Sequence, residues 1–179
     1  MFVAIALPPA LAEKLAGLDP SIPGLRWLPA EQLHLTLAFL GEVAEEEERA
    51  LVAQLGEIDG AAFPVMLKRL GSFGSRGRPS VVWVGLEEAP EDLFHLHRAV
   101  KVAVGRAGLK TDGKGFHPHV TLGRCKEVKM AALKGFLGEN AGREFGSFGV
   151  EGFTLYQSIL HPSGAEHLPA FHKEFGTSG

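Results

Sequence analysis

The stretch Phe116-His117-Pro118-His119-Val120-Thr121-Leu122-Gly123-Arg124 decides the fold of this chain. In an extended strand, successive side chains point to opposite faces of a sheet. The residues at 116, 118, 120 and 122 are apolar or proline, which predicts a face that packs into a core. His117, His119 and Thr121 fall on the other face. His119 and Thr121 are then about 7 Å apart on one side of a sheet, a spacing that can bracket one phosphate group.

The same arrangement occurs earlier in the chain, in Leu33-His34-Leu35-Thr36-Leu37-Ala38-Phe39. Here the residues at 33, 35, 37 and 39 form the apolar face, and His34 and Thr36 share the opposite face. The first histidines of the two His-x-Thr motifs are 85 positions apart, close to half of the 179 residues. Each motif is closely followed by a glycine, Gly41 or Gly123. This duplication predicts two lobes that face each other across one cleft.

Length and composition fit a globular protein of one domain, 1–179, built from two intertwined lobes. Apolar residues make up 45% of the chain, and no apolar run approaches the roughly 20 residues that span a bilayer. The short apolar opening lacks the basic leader of a secretory signal and predicts a first strand. The single cysteine, Cys125, excludes an intramolecular disulfide and indicates a reducing compartment, the cytoplasm. A net charge of −3 argues against a protein that coats long nucleic acid and favours a small or terminal substrate.

Hydrophobic periodicity predicts an α+β fold with mainly antiparallel sheets. The predicted helices are 10–18, 45–58, 90–107 and 129–137. The predicted strands, besides the opening one and the two motif strands, are 65–73, 80–86, 147–159 and 167–175. The run Glu45-Glu46-Glu47-Glu48 is expected to be the acidic first turn of its helix, where carboxylates favour the helix dipole.

The two motifs together suit acid–base chemistry on a phosphodiester. Histidine can act as base or acid near neutral pH, so His34 and His119 on opposite sides of a phosphorus atom could divide these roles. Thr36 and Thr121, supported by Arg124, would bind the non-bridging phosphate oxygens. Such a site needs no metal, no cofactor and no covalent intermediate. It suits a strained substrate such as a 2′,3′-cyclic phosphate opened by water.

Both motifs resemble the paired signatures of the 2H phosphoesterase superfamily. Within it, the chain is most similar to the bacterial and archaeal RNA 2′,3′-cyclic phosphodiesterases, also called 2′-5′ RNA ligases. The likeness extends to Phe2-Val3-Ala4-Ile5, to Arg26-Trp27 and to Phe153-Thr154-Leu155-Tyr156-Gln157-Ser158, so it covers nearly the whole chain.

The resemblance implies a bilobal, pseudo-two-fold α+β fold with two mainly antiparallel sheets around a central groove. It implies hydrolysis of RNA 2′,3′-cyclic phosphate ends to 2′-phosphate, with reversible 2′-5′ joining of RNA ends in some members. By position, His34 and His119 become the acid–base pair and Thr36 and Thr121 the phosphate anchors. The analogy favours His119 as the base for water and His34 as the acid, although the pseudo-symmetry leaves this order open. The partners would be RNA 3′ ends with a 2′,3′-cyclic phosphate or small cyclic nucleotides, bound by a monomer without a membrane or a metal.

Several nearby residues have two interpretations. Arg124 directly follows the second motif, whereas Glu42 stands at the equivalent place after the first, so arginine support is expected on one side only. The alternation places Phe39 and Phe116 in the core, with stacking on a base as the alternative. Cys125 is expected to be a buried spectator, because nothing beside it would activate a thiol.

The sequence leaves more than one role open for several further residues. His117 could line the groove or support His119, and Tyr156 and Ser158 share a strand face that could reach substrate. The segment 74–79, rich in glycine and arginine, could be a hairpin loop or a phosphate-binding flap. His95 and His97 are two apart on a helix and therefore do not share a face.

Two other classes of function compete with a phosphodiesterase. One is a non-catalytic module that binds RNA ends in the same groove. The other is a metallohydrolase built on His117, His119 and further histidines, although the lack of an acidic side chain close to either motif disfavours a hard cation.

Overall fold

The computed structural model describes residues 1–75, 77–111, 113, 115–162 and 164–176. The strands are β1 (Phe2–Ala6), β2 (Leu25–Trp27), β3 (His34–Phe39), β4 (Phe63–Ser75), β5 (Arg78–Leu86), β6 (His119–Cys125), β7 (Gly146–Val150), β8 (Gly152–His161) and β9 (Gly164–Glu174). The helices are α1 (Pro9–Ala16), α2 (Glu45–Gly56), α3 (Glu91–Arg106) and α4 (Met130–Glu139), and a short 3₁₀ turn covers Ala30–Gln32. All four predicted helices and the α+β class are confirmed.

The nine strands form one antiparallel sheet in the order β7-β4-β5-β6-β3-β1-β8-β9, and β2 pairs with β6 beside this path. Its two halves, β7-β4-β5-β6 and β3-β1-β8-β9, each contain one His-x-Thr strand at the centre of the molecule. Only one residue pair, Leu35 with Val120, is in register between β3 and β6. The two expected sheets are therefore joined into one through this pair, which brings the two motif strands side by side.

The core lies on the face of the central strands opposite the two motif histidines. Leu35 and Val120 are completely buried. Helix α3 presents Leu93, Val100 and other apolar side chains at helical spacing to the core and packs against β3. Helix α2 packs on α3 and β9. Because the helices cover this face, the side chains of the other face form a groove.

The chain departs from the predicted elements after residue 145. A single strand was predicted for 147–159, but the strand breaks at Glu151. Its two parts lie far apart, since β7 pairs with β4 whereas β8 pairs with β1 and β9. The apolar positions shift by one residue at the break, from Phe148 and Val150 to Phe153 and Leu155, but this shift does not show which strand each part pairs with. In the segments predicted to connect strands, Arg76 and Ser163 lie outside the described residues.

No helix in the described part of the chain is long and apolar enough to cross a membrane.

Candidate active site

The histidine and threonine side chains of the two motifs form a rectangle on the central strands, with the two histidines at opposite corners. From the registered pair of Leu35 and Val120, the next positions of antiparallel strands place His34 opposite Thr121 and Thr36 opposite His119. Directly opposed Cβ atoms are about 5 Å apart, and alternate residues of one strand are about 7 Å apart. The Cβ atoms of the two histidines are therefore about 8 Å apart on the diagonal. We call this face of the sheet the groove face.

A β-bulge in each motif strand changes which side chains reach the groove face. In β3, Ala4 pairs with Thr36 but Val3 pairs with Ala38, so the strand carries one extra residue. Leu37 and Ala38 are both buried in consequence, and Phe39 turns outward with 51% of its surface exposed. The prediction that Phe39 belongs to the core is therefore wrong, because strict alternation does not hold across a bulge.

The same bulge recurs in β6. Trp83 pairs with Thr121 and Val82 with Gly123, which leaves Leu122 as the extra residue. In a strand without the bulge, Arg124 would fall on the core face. Because of the bulge, Arg124 lies exposed on the groove side. Since both bulges fall at the same distance from their histidines, the counterpart of Arg124 in the first motif is Phe39. The prediction that Glu42 is the equivalent of Arg124 is therefore wrong. Of the two equivalent positions, only the one after the second motif carries an arginine, as expected.

A cavity of about 620 Å³ opens on the groove face, within the range of small-ligand sites. Four of the five predicted site residues line it, namely His34, Thr36, Thr121 and Arg124. Phe39 closes it at one side, and residues of the β8–β9 hairpin, including Leu160 and His167, contribute another wall.

The fifth predicted residue, His119, adjoins this cavity from the β4–β5 side. Its ring contacts Phe73 edge-on at 5.0 Å between centroids and lies 6.2 Å from Trp83. Its Nδ1 is 2.6 Å from the carbonyl oxygen of His117. A carbonyl oxygen can only accept, so Nδ1 carries the proton and Nε2 of the neutral ring is left as an acceptor. Burial lowers the pKa of His119, whereas this hydrogen bond raises it.

His34 is the more strongly perturbed imidazole. The pKa of His34 is lowered to about 4, chiefly by burial and next by the charge of His167. A backbone hydrogen bond with Gln32 raises the pKa, and Arg124 and His119 lower it. In the ligand-free protein His34 is therefore neutral at pH 7. Each catalytic candidate is held by the backbone two residues before it, Gln32 for His34 and His117 for His119.

Trp83 supports the wall beside His119. Its ring lies across β4 at Gly71, where a Cβ atom would come within 2.3 Å of the ring. The indole Nε1 is buried and has no hydrogen-bond partner among the described residues. A side chain at Gly71 would therefore displace the ring that packs next to His119 and Thr121.

The other candidates take different places. His117 is exposed and supports His119 through its carbonyl group, and its own ring contacts Phe73. Phe116 packs against the core, as predicted, and stacks on His97 with 3.9 Å between centroids. Burial raises the pKa of the Cys125 thiol, the opposite of what an activated nucleophile requires.

Two features of the site could not be found from the motifs: the stacking of Phe2 on His34 and the position of His167. Phe2 stacks on His34 at 4.6 Å and on Tyr156 at 5.2 Å. Ser158, which the sequence left as a candidate, lines the cavity. His167, near the start of β9, touches both Phe2 and His34. His167 lies in a segment that predicted only a strand, and its contact with His34 depends on the order of four strands. Within the part of the chain that the structure describes, no three His, Cys, Asp or Glu residues are grouped to hold a metal ion.

Comparison with known proteins places the chain in a family. The family model of the 2′-5′ RNA ligase superfamily matches residues 7–159. The chain is 34% identical to the RNA 2′,3′-cyclic phosphodiesterase of Archaeoglobus fulgidus, over 92% of this chain and 93% of the relative. It is 36% identical to the enzyme of that name from Escherichia coli, over 94% and 92% of the two chains.

Solved structures agree with the sequence comparison. A crystal structure described as a phosphoesterase superposes with a TM-score of 0.81 and 31% identity, covering 97% of this chain and 96% of the other. The crystal structure of E. coli LigT complexed with 3′-AMP superposes with a TM-score of 0.79 and 33% identity, covering 97% and 96%.

Proposed function

The chain belongs to the 2′-5′ RNA ligase superfamily, and from this premise we propose that it hydrolyses 2′,3′-cyclic phosphate ends of RNA to 2′-phosphates, without a metal. The observation that carries the proposal is the diagonal pair His34 and His119, each beside a threonine. His34 and both threonines line a cavity of about 620 Å³, and His119 adjoins it. The substrates are RNA 3′ ends or small cyclic nucleotides.

The base in this proposal is His119. With Nδ1–H held by the carbonyl of His117, Nε2 can take a proton from the attacking water. The water oxygen bonds to phosphorus as the bond from phosphorus to the 3′ oxygen breaks. The product is an RNA end with a 2′-phosphate and a 3′-hydroxyl.

The acid is His34, which protonates the departing 3′ oxygen. Because its pKa is about 4 in the ligand-free groove, His34 must gain its proton together with the substrate. The diester carries one negative charge, and an opposite charge within about 4–6 Å favours the protonated imidazole. Substrate binding and proton uptake by His34 are therefore coupled.

The phosphate oxygens are bound from both halves of the sheet. Thr36 and Thr121 offer hydroxyl donors, and Arg124 adds a positive charge from one side. Phe39, the counterpart of Arg124, offers an exposed aromatic face on the other side. This asymmetry would orient a nucleotide, with its base against Phe39 and its phosphate towards Arg124.

The same groups could join RNA ends. If a 5′-hydroxyl replaces water as the nucleophile, loss of the 3′ oxygen from phosphorus leaves a 2′-5′ linkage, and the reverse reaction restores the cyclic phosphate. We further propose that residues 1–179 form one bilobal domain that acts as a monomer, since one chain supplies both motifs. The single cysteine supports the cytoplasm as its location.

The test is turnover of 2′,3′-cyclic nucleotides by His34→Ala and His119→Ala variants whose fold is verified by circular dichroism. Each loss should lower kcat about 10²- to 10⁴-fold. His95→Ala, on the exposed side of α3, is the matched control and should keep wild-type turnover. Folded variants of both motif histidines with wild-type turnover would refute the proposal.

A sulfur substitution separates the two roles. With a 3′-thio cyclic phosphate, the leaving thiolate needs no protonation, so His34→Ala should regain most of its rate whereas His119→Ala should not. If only His119→Ala regained its rate with this substrate, His119 would be the acid and His34 the base.

A further inference from the structure

His167 reaches the candidate acid from the opposite end of the chain. The rings of His34 and His167 meet edge to face, with 5.3 Å between centroids and an interplanar angle of 85°. His167 lines the same cavity as His34 and pairs with Ser158 across the β8–β9 hairpin. No motif includes it.

Phe2 joins the two histidines into a three-ring cluster. Its ring stacks on His34 at 26° and 4.6 Å, and His167 stands against Phe2 at 80° and 4.9 Å. His34 is thus packed by a parallel ring on one side and a perpendicular ring on another. Aromatic pairs favour both geometries, so rotation of the His34 ring would break at least one contact.

We propose that His167 is a positioning residue of the reaction, whose ring fixes the plane of His34 and whose proton, when present, opposes a proton on His34. The role as stated rests on the proposed function of His34 as the acid. Both imidazoles are neutral before substrate binds. The negative charge of the bound phosphate then favours protonation of His34, which supplies the proton for the leaving oxygen.

The surroundings of His167 support this role. Its Nδ1 is buried and has no hydrogen-bond partner among the described residues, so no carboxylate in that part of the chain stabilises a charge at that atom. Burial lowers the pKa of His167, and the charge of Arg124 lowers it further. Both rings of the pair therefore resist protonation in the ligand-free groove.

The charged or titratable groups around the pair come from several elements. They are Arg124 and His119 of β6, Tyr156 and His161 of β8, Arg26 of β2 and the amino group of Met1. His161 is hydrogen-bonded to Glu166 at 3.0 Å. Arg124 lowers the pKa of both rings, whereas the carboxylate of Glu166 acts on His161 and those of Glu42 and Glu48 act on the Met1 amino group. An anionic ligand beside the two rings would therefore favour a proton on the pair.

Two variants separate orientation from charge. His167→Phe keeps an aromatic edge against His34 and Phe2 but cannot take a proton. His167→Ala removes both the edge and the charge. The pKa of His34 is followed by NMR titration of its imidazole in the ligand-free protein, and kcat and KM are measured with 2′,3′-cyclic AMP.

The inference predicts that His167→Phe raises the pKa of His34 by about one unit and lowers kcat less than His167→Ala does, because phenylalanine keeps the ring contact with His34. His167→Ala should lower kcat about 10- to 100-fold with KM nearly unchanged, because the acid is misplaced. The matched control is His172→Phe on the same strand, whose ring contacts Thr154 instead, and it should leave the pKa of His34 unchanged.

Because the titration needs no turnover, the two proposals fail separately. An unchanged pKa of His34 in His167→Phe, or wild-type kcat in His167→Ala, overturns the role of His167. Absence of turnover in the wild-type protein, with the shift in pKa observed, overturns the proposed reaction and leaves the ring contact standing.

Discussion

The burial of His34 predicts a specific loss of stability at acidic pH. The pKa of His34 is about 4 in the folded chain, against an ordinary value of 6.5. The unfolded chain therefore binds this proton more tightly, and stability is lost as the pH falls below 6.5 until it levels off near pH 4. Between pH 7.5 and pH 4.5 the loss from this one group is about 2.5 kcal/mol.

The perturbation that isolates this contribution is His34→Phe. Phenylalanine keeps a ring between Phe2 and His167 but cannot titrate. Urea unfolding of both proteins at pH 7.5 and pH 4.5 gives the stability advantage of the wild type over the variant at each pH. This advantage should shrink by about 2.5 kcal/mol on acidification.

The matched control is Thr36→Val, on the same strand and the same face. Its stability relative to the wild type should not depend on pH in this range. If the advantage of the wild type over His34→Phe were equal at both pH values, His34 would not be desolvated as its surroundings require, and the coupling of its protonation to phosphate binding would be refuted.

Three further substitutions test the groove and its support. Arg124→Gln should lower kcat/KM for cyclic nucleotides about tenfold or more, because it removes one charge-assisted hydrogen bond to the phosphate. The control Arg98→Gln on α3 should have no effect in the same assay. Phe39→Ala should raise KM about 5- to 100-fold with kcat little changed if a base stacks there; equal KM values would exclude the stacking. Leu35→Ala should cost about 2–5 kcal/mol in urea unfolding because the side chain is fully buried, whereas the 83% exposed Leu160 should tolerate alanine with almost no loss.

Periodicity was sufficient to predict where most helices and strands lie. Apolar side chains recur every second or every third to fourth residue, and these spacings follow from strand and helix geometry. The two His-x-Thr motifs also predicted a shared cleft, because a duplicated pattern at half the chain length indicates two similar halves. What periodicity could not supply was the pairing of strands that are distant in sequence, as the break at Glu151 illustrates.

The candidate site shows the same limit at the level of single residues. Alternation assigned Phe39 to the core, and only the bulge at Leu37 turns it into the groove. A bulge is a property of the paired strands and leaves no trace in the periodicity of one of them. His167 was missed for a related reason, since its contact with His34 requires the order β3-β1-β8-β9.

The central claim is the metal-independent opening of an RNA 2′,3′-cyclic phosphate by two histidines, with loss of the 3′ oxygen. Its most direct test is incubation of the protein with an RNA oligonucleotide that ends in this group, in the presence of a strong chelator, with the product isomer identified by ³¹P NMR. We predict a 2′-phosphate as the product. A 3′-phosphate would contradict the claim because the 2′ oxygen would then have left, and intact substrate that remains bound would indicate a module that binds RNA ends without cleaving them.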